Sequence, residues 1–408
     1  MAIASGIFKQ LRYKKESSWG TPPATDTAQL LRRVTSDLNL QKAVYESQEI
    51  RSDFQVADMR HGIRSVGGTI NGELSPKTYA DFMGAAVRKL FATGVNSGAL
   101  TTITATVTTA PAGKFVRGSG DWMASGFKVG DVVRCTGWTA GATANNAHNF
   151  LITALTALEM TVTPLDGVAF VAKAAGDSVT ITVTGKKTWV PVSGHTDESF
   201  SIEHWFPDIT QRELFVGAKP SQIDIAMPAT GIATIGIQFL GKGIQTGTTE
   251  FFASGTLQAE TTTGILTAVS GQIMVNGVGI ATVTGGNLSI AGNFTPAEVA
   301  GSNDIAAVFP GRVRVSGEVS AYFENATLRD AFLNETDVAL QLILTAGSAA
   351  AADFVSFVMP RIKTGGNSKD DGEKGIIQTI PFTALLNTAG GTGINTEKTT
   401  LSIQDSAA

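Results

Sequence analysis

Residues 65–94 read SVGGTINGELSPKTYADFMGAAVRKLFATG. Val66, Gly68, Ile70, Gly72 and Leu74 fall on every second position, the period of a strand whose two faces meet different surroundings. At Ser75–Pro76 the period changes. Serine followed by proline is the N-cap and first-turn pairing of a helix start. Tyr79, Phe82, Met83, Ala86, Val87 and Leu90 then recur at the three- and four-residue spacing of one helical face. The pattern predicts a helix over 76–91 that lays a stripe of Tyr79, Phe82, Met83, Val87 and Leu90 on a sheet and stops near Gly94.

Upstream, residues 46–64 read ESQEIRSDFQVADMRHGIR. In a chain that is 16% charged, this stretch gathers Glu46, Glu49, Asp53 and Asp58 with Arg51, Arg60, Arg64 and His61. It is too polar for a core. Its alternating signs and its apolar Phe54, Val56 and Met59 suit a long loop between two strands that reaches a neighbouring molecule. Charge pairs at such a rim add little affinity but fix register. Before it, residues 31–40 make a short strand candidate; FKQLRYKKE is basic, the following SSWGTPPATDTAQ reads as irregular chain, and the two ends of the chain are expected as N- and C-terminal arms.

Downstream, from 95 to 192, charge thins out and strand-like runs (TTITATVTT, FKVGDVVRCTGW, NFLITALTALEMTVTPL, DSVTITVTGKKTWV) alternate with Gly, Ala and Asn. This texture predicts a small all-β domain inserted at 95–192 into a larger domain formed by 1–94 and 193–408. The later segments alternate again: Phe200, Ile202, His204 and Phe206; Ile223, Ile225 and Met227; Ile235, Ile237 and Phe239. Asn276–Gly277 between apolar flanks predicts a two-residue hairpin. VSGEVS at 315–320 echoes INGELS at 70–75, and each precedes a candidate helix, a hint of internal duplication. The chain is mainly β.

Composition narrows function mostly by exclusion. A net charge of −4 offers no basic field for phosphate backbones, and KQLRYKK is too short to make one. One cysteine, Cys135, precludes an intramolecular disulfide and fits a reducing compartment; in its apolar run it reads as an inert buried thiol. The N-terminus lacks the apolar region of a secretory signal and no 18-residue apolar run predicts a membrane span. His61, His148, His195 and His204 show no metal-ligand spacing, and His204 reads as a satisfied sheet histidine. GKGIQTG at 241–247 lacks the phosphate-loop spacing and reads as a turn after a strand; DDGEK at 370–374 reads as an exposed loop. No nucleophile–base pair, metal set or cofactor motif emerges, so the expected class is non-enzymatic, without cofactor, and acting through surfaces.

Several segments, in order, carry a resemblance. YKKESSWGTPPA (13–24), the run from LLRRVTSDLNLQ through FMGAAV (30–87), FSIEHWFPDITQRELFVGAKPSQIDIAMPATGIATIGIQFLGKG (200–243), and VMPRIKTGG with IIQTIPFTALLN (358–366 and 376–387) resemble the major tail tube proteins of long-tailed, siphovirus-type bacteriophages. The resemblance implies a β-sandwich of two sheets with one flanking α-helix, the 95–192 domain lying outside the tube. It implies hexameric rings whose inner sheets join into one barrel, stacked into a tube that conducts phage DNA without specific binding. The implied partners are further copies of the chain, the tape measure inside the lumen, the tail terminator and the distal tail protein. The implied location is the virion, after assembly in bacterial cytoplasm. The alternative is a capsid or tail decoration protein, or a surface carbohydrate-binding β-protein.

Overall fold

The strand predicted at 65–74 is the end of a much longer one. In the computed structural model, which describes residues 3–23, 27–252, 256–280, 282–324, 329–330, 333–370, 373 and 375–408, the chain is 47% strand and 3% helix. The principal strands in chain order are β1 (Gln10–Lys15), β2 (Asn39–Glu46), β3 (Met59–Glu73), β4 (Phe200–Phe206), β5 (Gln211–Pro228), β6 (Thr234–Gly241) and β7 (Thr267–Val275). They continue as β8 (Val283–Ala291), β9 (Arg314–Tyr322), β10 (Val338–Thr345), β11 (Phe354–Thr364), β12 (Ile377–Ala384) and β13 (Ser402–Asp405). Helix α1 spans Ala80–Ala86.

One antiparallel sheet runs β2–β3–β6–β5–β8–β9–β12. Its register explains the alternation of the sequence. Ile70, Ile237, Ile223, Ile290 and Val315 stand side by side across five strands, and all are buried. One row on, Gly72, Ile235, Ile225, Leu288 and Gly317 do the same. The glycines of the two echoing hexapeptides therefore occupy equivalent places on either side of the central β5. Each makes room for an aromatic ring: a Cβ on Gly72 would stand 1.8 Å from the Tyr79 hydroxyl, and one on Gly317 2.7 Å from Phe382. The helix expected after VSGEVS falls largely on 325–328 and 331–332, outside the described residues.

A second group of strands shares the apolar core with this sheet. β5 is 18 residues long; its first half pairs with β4 and with Gly243–Gly247, its second half with β6 and β8. Gly217, at φ +69, lies within the strand near the change of partners. β1 lies on β4, while β10, β11 and β13 form the far wall. Between the layers Phe82 sits at 0% exposure against Tyr13, Phe200 and Phe239, with ring centroids 4.7, 4.8 and 5.4 Å away.

The helix is shorter than its spacing predicts. Ser75 does not cap it: its hydroxyl bonds the Thr78 hydroxyl at 2.7 Å, and residues 76–79 form a turn. Lys77 at φ +69 lies outside helical geometry, and Arg88 at φ +63 ends the run after Val87. Tyr79, Phe82, Met83 and Val87 are all buried, with Tyr79 and Val87 flanking the helix, whereas Leu90 lies beyond it and is 41% exposed. Apolar spacing continues past the point where backbone geometry stops the helix. The strand expected at 31–40 is likewise broken into short pairings at Gln29–Leu30 and Thr35–Ser36 before β2 begins.

Within 95–192, strands Ile103–Val107, Gly113–Arg117, Val132–Thr136, Phe150–Leu155, Glu159–Pro164 and Thr180–Val183 form a separate six-stranded sheet. They wrap their own core around Phe115, Trp122, Phe150 and Ile181. The run DSVTITVTGKKTWV, expected as one strand of that unit, is two: Gly185 at φ +68 turns the chain, and Lys186–Trp189 pairs with β13 and with Ala92–Thr93 of the larger sheet. Asn276–Gly277 forms the expected tight hairpin, both residues at positive φ (51° and 78°). Within DDGEK, Asp371, Gly372 and Lys374 lie outside the described residues.

Candidate assembly surfaces

The charged stretch is not one long loop. Glu46 closes β2, and Met59, Arg60, His61 and Arg64 belong to β3, so only 47–58 connect the two strands. Pairing runs from Asn39↔Gly67 out to Glu46↔Met59, which makes the stretch a ribbon that leaves the body. Its three arginines are paired within the subunit: Arg51 reaches Asp53 at 2.8 Å, Arg60 reaches Asp58 at 2.8 Å, and Arg64 is tied to Asp304. The Arg51 and Arg64 guanidiniums hold the Asp53 and Asp304 carboxyls below the usual carboxylate range by hydrogen bonding. Among these described contacts Glu46, Glu49 and His61 take part in no side-chain ion pair.

Its apolar side chains have no such partners in the subunit. Ile50 and Phe54 are fully exposed at 102% and 99%, and Val44, Tyr45, Val56 and Met59 are about half exposed or more. The hairpin thus pairs Arg51 and Arg60 internally and leaves a group of apolar side chains in water, the kind of exposed patch that monomeric proteins seldom carry. Charge spacing alone does not say which of these side chains lie side by side, so the pairing of the arginines and the exposure of the apolar groups were not legible in the sequence.

A second surface went unnoticed in the sequence. The outer face of the β3–β6–β5–β8–β9 sheet carries the alternate residues. One register row is Asn71, Gly236, Asp224, Ser289 and Ser316; another is Glu73, Thr234, Ala226, Asn287 and Glu318. Neither row contains a lysine or arginine, and three of the ten positions are acids. The missing signal was two-dimensional: each strand shows only polar alternation, and the two acidic rows without a base emerge when register lines the strands up, Arg314 standing in the row beyond.

A third surface joins the 95–192 unit to the larger sheet. Val132, Leu151, Met274, Ile343 and Phe354 form a buried apolar cluster across the joint. Gln404, 2% exposed, donates to the carbonyls of Val132 (2.7 Å) and Thr184 (2.8 Å) and accepts from the Val132 amide (2.9 Å). Lys128 Nζ donates to the carbonyls of Gly391 and Ile394 at 2.7 and 2.6 Å.

Chemistry is sparse. No group of three or more metal-ligating side chains occurs among the described residues. His204 is 1% exposed beside the Ser36 hydroxyl at 2.9 Å, and burial pulls its pKa down to about 4. Burial pushes the Cys135 thiol up to about 12, leaving it protonated and inert. No helix among the described residues is long and apolar enough to cross a membrane.

No curated protein matches the chain. The family model of the phage tail tube protein matches residues 9–384, running straight through the 95–192 unit. The match covers nearly the whole of this mainly β chain, and the chain belongs to the phage tail tube protein family, structural proteins of the virion that assemble with themselves and with other tail proteins.

Proposed function

We propose that this subunit forms hexameric rings that stack into the tail tube of a long-tailed phage, and that the tube conducts the genome into the host. The observation that carries the reading is a pair of neighbouring outer-face rows without a base, with Asp224, Glu73 and Glu318 among Asn, Ser and Thr, the nearest base being Arg314 at the β9 end of the next row. A wall past which a polyanion slides must not gather phosphates, because each basic contact releases counterions and adds affinity. Polar side chains keep the wall wet, and sparse carboxylates repel DNA weakly. In this reading the face lines the lumen, where the tape measure lies before ejection. The edge strand β2, with its hydrogen-bonding groups unpaired on one side, gives neighbouring subunits a place to extend the sheet and removes an aggregation-prone edge. The 95–192 unit lies outside, and the tube's ends meet the terminator and distal tail proteins. Assembly takes place in the bacterial cytoplasm.

The test places bases on the wall. Asn71→Lys with Asn287→Lys changes two exposed side chains and leaves the buried face intact. Tubes of the variant are expected to form normally and to retain duplex DNA in co-sedimentation at low salt, releasing it as salt rises, while wild-type tubes retain none. Equal retention by both proteins would contradict the lumen assignment.

A further inference from the structure

The hairpin's exposed apolar tip needs a receptor, and the opposite end of the molecule offers one. Between β7, the end of β5 and the start of β8 lies a cavity of about 630 Å³ lined by Met227, Val269, Ile273, Ile280, Val283 and Leu342 among others, no charged side chain contributing. That volume is in the range of sites that swallow a few large side chains. Val269 on its rim is 77% exposed, while Met227 and Leu342 in its floor are buried. Gln272 also lines it, and its side-chain oxygen is buried without a hydrogen-bond donor, a state that polar atoms seldom keep.

Position supplies the rest. The hairpin leaves β3 at Met59, whereas the cavity adjoins the other end of the sheet, where Glu73 meets Thr234 and Thr234 meets Ala226. Fifteen residues of strand separate the two ends, about 45 Å at the usual rise per residue. Tip and cavity are thus different surfaces at opposite poles. A contact between unlike surfaces is not the self-complementary contact of a two-fold dimer; it closes a ring where its rotation closes and repeats head to tail where, as between opposite poles, successive copies are displaced along an axis.

We propose that residues 50–56 of one copy seat Phe54 and Val56 in this cavity of a second copy, and that this contact joins successive rings. The inference rests on the tube reading above. The charges of the tip are paired within the hairpin by Arg51–Asp53 and Arg60–Asp58, so an uncharged cavity receives it without stranding a lone charge. A tip amide gives Gln272 its missing donor. Each contact is small, and a ring multiplies it through avidity.

The experiment pairs Phe54→Cys with Val269→Cys. Both positions are exposed, and the native Cys135 is buried, so new disulfides report only the proposed neighbour, at Cβ separations of about 4 Å. Oxidised tubes of the double variant are expected to give a ladder of covalent multimers on non-reducing gels, and each single variant none. Tubes that form and yield no ladder would overturn the contact. Should the double variant not assemble, Val269→Asp decides. The contact predicts loss of tubes with an unchanged circular dichroism spectrum and intact rings, and a single ring–ring junction when those rings are mixed with Phe54→Asp rings, which keep the cavity. Wild-type tube growth by Val269→Asp would overturn it. Failure of the wild-type chain to form rings at all would instead overturn the tube reading.

Discussion

Gly72 and Gly317 show how much a single absent side chain fixes here. Each lies in a buried register row on opposite flanks of β5, and each lets an aromatic group cross the sheet, Tyr79 in one case and Phe382 in the other. Gly72→Ala is expected to lower stability by about 1–3 kcal/mol, the usual cost of overpacking, read as a lower urea midpoint; an unchanged midpoint would mean that Tyr79 does not lie over Gly72. Phe82→Ala, at the centre of an aromatic cluster, should cost about 3–5 kcal/mol in the same assay. Two buried titratable groups make opposite contributions to acid stability. His204 titrates near 4 in the fold against 6.5 in the open chain. The unfolded state therefore binds more protons between those values, and stability from this site is lost as pH falls through them. Burial raises Asp405 to about 6 from 3.8, so there the native state binds more protons and stability is lost as pH rises from about 4 to 6. Asp405→Asn should flatten that loss and His204→Gln should remove the acid sensitivity, each measured as the slope of unfolding free energy between pH 4 and 6.5. A slope unchanged by either substitution would contradict the assignment. The glycines were visible in two echoing hexapeptides; that they take equivalent places on either side of β5 was not, because sequence carries no register.

Among elements, the hairpin and the helix show where local pattern gives out. The apolar spacing at 79–90 identified the right face, since Tyr79, Phe82, Met83 and Val87 are all buried. It overran the ends, because left-handed backbone at Lys77 and Arg88 outweighs periodicity. The 46–64 stretch is exposed, as its polarity implies, yet seven of its nineteen residues are strand: β2 and β3 extend their pairing into a polar ribbon that has no buried face to mark it. Arg51→Glu with Arg60→Glu breaks both internal ion pairs and sets like charges together. Exposed pairs contribute only about 0–1 kcal/mol each to the fold. The variant should therefore melt like wild type while polymerisation, followed by light scattering, is lost. Normal polymerisation would leave the ribbon a solvated projection of its own subunit.

The whole molecule joins its two sheet systems more tightly than the composition change at 95 suggests. Gly94 and Gly185 are hydrogen-bonded neighbours (3.2 Å), so a chain spliced there would close with little strain. Removal of 95–184 would nevertheless uncover Ile343, Phe354 and Met274 and strip the Gln404 side chain of its bonds to Val132 and Thr184. The excised chain is expected to aggregate unless Ile343 and Phe354 are made polar, as judged by soluble yield; a soluble excised chain without those changes would show the joint to be dispensable. Sequence revealed the unit by its thin charge, but the joint is made of single residues scattered from 128 to 404, which no local pattern connects. The central claim is that this tail tube subunit builds an open conduit, and electron microscopy of the purified chain tests it most directly. The prediction is rings with six-fold symmetry, stacked into tubes whose stain-filled lumen is walled by the Asn71–Asp224–Glu318 face. Solid filaments, or a monomer at every concentration, would contradict it.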